Sequence, residues 1–192
     1  MNIANKINYY VYKIFHNSAH PLPWGHAQKY NYQTLPEGHR QNEISLNIGS
    51  GKKTSPQTIN LDISPKFCPD IVADLNHSLP FSNNTFSSIT GTHVLEHVDD
   101  LIFTLNELYR IAQPNAILNF EVPHQDSLMA SADPTHKRHF NQHSIQYFCS
   151  NGEHYWIHES YGIKCDFILI EQTVYRHRRD GFVKMTLMAN KK

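Results

Sequence analysis

Three groups of residues in this 192-residue chain have types and spacings that could do chemistry. The first is Leu46-Asn47-Ile48-Gly49-Ser50-Gly51-Lys52, with Asp62 at the end of a second short apolar stretch. Two glycines directly after a strand-like run let the backbone turn sharply and lie against a ligand. An acid about ten residues on can accept hydrogen bonds from ribose hydroxyls. Together they outline a nucleoside-cofactor site. A dinucleotide fits less well, because Thr54 stands where the third glycine of Gly-x-Gly-x-x-Gly belongs.

The second group is His93-Val94-Leu95-Glu96-His97. On a helix, this spacing would offer two imidazoles one turn apart to zinc, with Glu96 as general base, and a metallopeptidase would follow. The segment instead comes straight after a strand-like run, and the next helix begins near Asp99, which leaves the pair at a strand exit. The third group is Asp133-Pro134-Thr135-His136-Lys137-Arg138-His139-Phe140. His136 could remove a proton from a hydroxyl or amine near neutral pH, with His97 as second candidate. Lys137 and Arg138 could hold a carboxylate or phosphate. The plain reading is a polar loop whose aspartate and proline set a turn.

The elements that must position these groups are short. Strand-length apolar runs span Ile44 to Ile48, Thr58 to Ile63, Asp70 to Leu75, Ser88 to Val94 and Ala116 to Val122. One clear helix is expected over Asp99 to Ala112, where Leu101, Leu105, Leu108 and Ile111 share a face. Asp99 or Asp100 can cap it, and Pro114 follows its end. A short helix is expected over Asn141 to Cys149. Phe167 to Tyr175 and Phe182 to Ala189 read as a hairpin turning at Asp180-Gly181. The alternation predicts one α/β domain with a mainly parallel sheet. Only ten residues, Gly49 to Thr58, separate the first two strands, so the first crossover helix must be missing or reduced to a turn. Residues 2 to 16 have helical apolar spacing. From His20 to Arg40 the chain is polar, aromatic and proline-rich, as in a flap over a site, with Trp24, Tyr30 and Tyr32 as possible lining residues.

Composition narrows the partners. Lys plus Arg equals Asp plus Glu at 17 each, so no global field favours a polyanion and nucleic acid is not expected. Three widely spaced cysteines without a Cys-x-x-Cys pair argue against a disulfide framework and a thiolate zinc site, and for a reducing, cytoplasmic setting. No apolar run approaches the roughly 18 residues of a membrane span.

Read in order, Ser45-Leu46-Asn47-Ile48-Gly49-Ser50-Gly51, Asn60-Leu61-Asp62, Asp70-Ile71-Val72-Ala73-Asp74-Leu75, Leu79-Pro80-Phe81-Ser82-Asn83-Asn84-Thr85-Phe86, Thr92-His93-Val94-Leu95-Glu96-His97 and Leu108-Tyr109-Arg110-Ile111-Ala112-Gln113-Pro114 resemble the class I S-adenosylmethionine-dependent methyltransferases, specifically the type 11 group. The resemblance covers roughly residues 44 to 123. It implies a Rossmann-like α/β fold whose seven-stranded sheet ends in an antiparallel strand, with S-adenosylmethionine across the carboxyl ends of the strands. It also implies the cofactor contacts. Asn47, Gly49, Ser50 and Gly51 would pass beneath the methionine part, Asp62 and Ile63 would take the ribose, and Asp74 and the Leu75 backbone would meet the adenine. The backbone around His93 would lie at the methionine end. Asn47 stands where the wider superfamily usually has an acid.

The loops after the fourth and fifth strands commonly face the acceptor in this family, which assigns catalysis to His136 and His97. A small-molecule or glycan acceptor, methylated on a hydroxyl, amine or carbon, is then expected, and no metal is called for. The alternative from another class is a noncatalytic protein that keeps the fold for binding or assembly. Acceptor identity and oligomeric state stay open.

Overall fold

The computed structural model describes residues 43–52 and 57–191, together with the backbone of two short strands, β1 (Tyr10–Val11) and β2 (Gln28–Lys29), which pair antiparallel. At Tyr10 and Val11 the chain is therefore extended where helical spacing predicted a helix. Gln28–Lys29 is likewise a strand inside the segment expected to be an irregular flap, and the rest of the expected helix and of the flap, with Trp24, Tyr30 and Tyr32, lies outside the described residues.

The main sheet has seven strands: β3 (Ser45–Ile48), β4 (Ile59–Asp62), β5 (Ile71–Val72), β6 (Phe86–Thr92), β7 (Ala112–Pro123), β8 (Phe167–Tyr175) and β9 (Phe182–Ala189). Their order across the sheet is β5-β4-β3-β6-β7-β9-β8. The first five run parallel, and β9 is antiparallel to both neighbours, as the hairpin motif and the resemblance predicted. The chain lays down β3, β4 and β5 outward in one direction, then returns to place β6 on the other side of β3. This reversal opens a crevice at the carboxyl ends of β3 and β6, the usual ligand position in open α/β sheets. The described part of the β3–β4 connection, Gly49–Lys52 and Gln57–Thr58, is turn and bend, in keeping with a reduced first crossover.

One face of the sheet carries the core. Leu46 and Ile48 on β3, Ile89 on β6, Leu118 on β7 and Leu187 on β9 are inaccessible to solvent. Against this core packs the only long helix among the described residues, α1 (Leu101–Ile111), through Leu105, Leu108 and Ile111. Asp100 caps it by accepting a hydrogen bond from the Phe103 N–H at 2.9 Å.

The other face bears a polar row. Register places Asn60, Asn47, Thr90, Asn119, Thr186 and Glu171 side by side across six strands. Two links in the row are hydrogen-bonded, Asn47 Nδ2 to Asn60 Oδ1 at 3.2 Å and Thr186 Oγ1 to Asn119 Oδ1 at 2.8 Å. Strands of a sheet covered on both faces would be apolar throughout. The alternation here accompanies a first crossover too short to lay a full helix on that face.

Most boundaries shift by one or two residues, and three elements differ more in extent or type. The third strand is only Ile71–Val72 instead of Asp70 to Leu75, because Asp74 turns the chain by accepting from the N–H of Asn76. The expected helix over Asn141 to Cys149 is a turn followed by one 3₁₀ turn, Gln146–Phe148. Asn141 competes for local backbone donors there, its Oδ1 accepting from His143 N at 2.9 Å. The strand expected over Ala116 to Val122 begins already at Ala112, directly after α1.

Candidate functional site at the sheet switch point

The glycine turn leaves β3 with φ of +58° at Gly49 and +50° at Gly51, a region costly for residues with a Cβ. At Gly49 the restriction is doubled, since a Cβ there would sit 2.6 Å from Val94 Cγ2. The turn thus rests on the first residues after β6. Asp62, buried at the end of β4, staples it: Oδ2 accepts from the Gly51 N–H and Oδ1 from the Ser64 N–H, each at 2.8 Å. Each carboxylate oxygen keeps a second lone pair. Ser50 donates its N–H to the Leu61 carbonyl, while its buried hydroxyl has no hydrogen-bond partner. Next to Asp62, Ile63 presents an apolar side chain that is 60% exposed. Asn47 lies within the strand, tied to Asn60 in the polar row.

The loop after β5 brings the next pair. Asp74 Oδ1 accepts from both N and Nδ2 of Asn76 at 2.9 Å, and Oδ2 lies 3.3 Å from His77 Nδ1. Leu75 is buried, and its carbonyl accepts from Thr104 Oγ1 on α1. The α1 N-terminus is joined to the same loop by the Asp99 N–H, which donates to Asn76 Oδ1 at 2.6 Å.

After β6 the chain adopts φ +53° at His93 and a single 3₁₀ turn, Leu95–His97. His93 and His97 therefore do not lie on one helix as the peptidase pattern requires. The Asp133–Phe140 loop folds onto this turn, the N–H groups of Lys137 and Arg138 both donating to the Glu96 carbonyl at 2.8 and 3.2 Å. His97 and His136, distant in sequence, thereby meet edge to face with ring centroids 4.7 Å apart. The Glu96 carboxylate is 1% exposed and has no hydrogen-bond partner on either oxygen. Its Oε1 lies 3.3 Å from His93 Nδ1 and 3.9 Å from His136 Nε2.

Both rings of the pair are oriented by acceptors. His136 Nδ1 is 3.1 Å from the Ala130 carbonyl, so it carries the hydrogen and leaves Nε2 with the lone pair. Thr135 donates its hydroxyl to Asp133 Oδ1 at 2.6 Å, so at 3.0 Å it must accept from His97 Nδ1. The Thr135 hydroxyl and N–H hold the Asp133 carboxyl below the usual carboxylate range. Lys137 Nζ pairs with Asp99, and Arg138 binds the carbonyls of Val98 and Asp99.

The spacing of single motifs does not mark two members of this site. Glu96 enters the sequence pattern as a peptidase base, yet it is the buried carboxylate between two histidines. Val94 looks like an ordinary strand residue, yet it is the support of Gly49. The only signal for either is the pairing of a strand-exit motif with a His-rich loop some forty residues later.

Comparison with known proteins agrees with this fold. A family model described as a methyltransferase domain matches residues 24–165. A search of the curated proteins finds no match. Among solved structures, a complex of the Haloferax volcanii Trm112 methyltransferase activator with a methyltransferase matches with a TM-score of 0.56 at 12% identity, over 78% of this chain and 84% of that one. An S-adenosylmethionine-dependent methyltransferase from Mesorhizobium loti matches with a TM-score of 0.52 at 13% identity, over 76% and 90%. The [4+2]-cyclase SpnF matches with a TM-score of 0.52 at 11% identity, over 79% and 76%. These likenesses establish the fold, and the cyclase illustrates that one fold serves several chemistries. With its family model, its switch-point crevice and its strand order in agreement, this chain belongs to the class I S-adenosylmethionine-dependent methyltransferase domains, and its cofactor is S-adenosylmethionine.

Proposed function

We propose that this protein transfers a methyl group from S-adenosylmethionine to a hydroxyl, amine or carbon of a small molecule or glycan, in the cytoplasm. The observation that supports it is the contact through Val94 of two unlike sites, the glycine turn on one side and the Glu96–His97–His136 cluster on the other. The Val94 side chain abuts Gly49, and its carbonyl accepts from the His97 N–H at 3.1 Å.

The residues fit the cofactor. The unpartnered Ser50 hydroxyl and the turn of Asn47, Gly49 and Gly51 would hold its methionine part, with the His93 backbone. Asp62 has lone pairs left for the ribose hydroxyls, and exposed Ile63 offers an apolar surface beside them. Asp74 and the Leu75 backbone would take the adenine edge. When bound, the cofactor supplies a methyl group on a positively charged sulfur.

The chain's part is to hold the acceptor in line and to take its proton. His136 Nε2 is the proton acceptor, since Nδ1–H is committed to the Ala130 carbonyl. The buried Glu96 carboxylate, 3.9 Å away, stabilises the imidazolium that forms. His97, fixed by Thr135, borders the same space and orients the acceptor.

Isothermal calorimetry with S-adenosylmethionine and S-adenosylhomocysteine tests the binding half, with saturable binding expected. Asp62→Ala should weaken it by about 1–3 kcal/mol, and no binding at millimolar ligand would sink the proposal. Labelled methyl transfer to cell extract tests the catalytic half. His136→Ala should keep the cofactor affinity and slow transfer by roughly 100-fold or more; an unchanged rate removes His136 as the base. One observation favours a noncatalytic binding protein instead: the side chain of His136, the proposed base, is only 7% exposed. Cofactor binding without any labelled product would select that reading.

A further inference from the structure

We propose that Glu96, His97 and His136 form a binding site for a divalent transition-metal ion, with one coordination position open to an oxygen atom of the methyl acceptor. The proposal rests on the acceptor-side placement argued above. It goes beyond that reading by making the two histidines ligands when the ion is bound.

Geometry comes first. Each of the three residues offers a ligand atom, and these atoms lie within 4.8 Å of one another. Two imidazole nitrogens and one carboxylate oxygen suit zinc and neighbouring divalent ions, and this donor set leaves a fourth position for water or substrate. Magnesium or calcium would call for more oxygen ligands.

The hydrogen bonds around the cluster are those a metal site needs. A ligating histidine donates its other ring N–H to a carbonyl or carboxylate, which fixes its tautomer. His136 does so directly to the Ala130 carbonyl. His97 does so through the Thr135 hydroxyl, which in turn donates to Asp133. With Nδ1 donating, the neutral form of each ring turns its Nε2 lone pair outward for an ion.

The buried carboxylate is the independent observation. Glu96 is 1% exposed, and neither oxygen accepts a hydrogen bond. A carboxylate taken out of water without such bonds is costly unless a cation compensates it. The nearest groups are the ring nitrogens of His93 and His136, at 3.3 and 3.9 Å. A divalent ion among the three ligand atoms would supply the compensation. An acceptor hydroxyl bound at the open position would have its proton affinity lowered by the ion, and its proton would pass to solvent.

The full chain, dialysed against chelator, should be titrated with zinc by calorimetry and with cobalt by visible absorption. One equivalent of each should bind, with cobalt giving ligand-field bands of low coordination number. Glu96→Gln and His97→Ala, checked for folding by circular dichroism, should each weaken zinc binding by about 100-fold or more. Saturable binding of neither ion would overturn the proposal. So would binding that survives both substitutions and disappears in His154→Ala, which would place the ion at the other His-rich group, His143, Glu153 and His154. Cofactor calorimetry on the chelated protein keeps the two readings apart: cofactor binding without metal binding defeats only this inference, and the reverse defeats only the methyltransferase proposal.

Discussion

Asn47 stands where the wider superfamily usually carries an acid, and its surroundings give a reason. It donates Nδ2–H to Asn60 Oδ1 on the neighbouring strand. Both Nδ2 hydrogens of Asn60 are already used, on the Thr58 carbonyl and Asp70 Oδ2, and Asp70 also accepts the Asn60 N–H. An aspartate at 47 would therefore set a carboxylate against an acceptor, with a second carboxylate just beyond. Asn47→Asp should lower stability in urea by about 1–3 kcal/mol at neutral pH. The new carboxyl would have a raised folded-state pKa, so the folded state binds more protons and the loss should shrink as pH falls through the carboxylate range. A loss independent of pH would show that this electrostatic account is wrong. The glycine turn itself was legible from residue types, because only glycine tolerates the backbone there. The partner of Asn47 was not, since Asn60 meets it only through strand register.

At the scale of elements, the Leu79-Pro80-Phe81 motif and the end of α1 form one unit. Glu107, buried on α1, accepts the Leu79 N–H at 2.7 Å and is bridged by Arg110 through Nε and Nη2 at 2.8 and 2.6 Å. Arg110 also binds the carbonyls of Leu79 and Phe81 at 3.2 and 2.7 Å. Its guanidinium is held even above its usual range, chiefly by the hydrogen bond to Glu107. Glu107→Ala leaves the Leu79 N–H and a half-buried guanidinium without their acceptor. It should cost about 3 kcal/mol, read as a lowered denaturation midpoint with cofactor affinity little changed. A loss below about 0.5 kcal/mol would mean that the helix holds this loop by apolar packing alone. The α1 pattern and its Asp100 cap could be read from spacing, because both are local. The 3₁₀ turn at Leu95–His97 could not, since the loop that binds the Glu96 carbonyl comes from beyond β7.

Across the whole molecule, the three free cysteines sort by burial. Cys68 is exposed, whereas Cys149 and Cys165 belong to the core. Burial pushes the Cys149 thiol up to about 12 and Cys165 higher still, so neither offers thiolate near neutral pH. A chromogenic disulfide reagent at pH 8 should titrate one thiol in the native protein and three after denaturation. Fast reaction of two or more in the native state would show that the β8 side of the core opens. No helix among the described residues is long and apolar enough to cross a membrane.

Alternating apolar runs, glycine turns and the terminal hairpin follow from local backbone preferences and burial. The sequence by itself therefore determined the seven strands of the main sheet, the mainly parallel α/β architecture and the place of the glycine turn. Tertiary structure alone decided which histidines meet, because His97 and His136 become neighbours only when the loop after β7 returns across the strand end at β6. It alone buried the Glu96 carboxylate beside His93 and His136, since burial of one charged side chain is a property of everything packed around it.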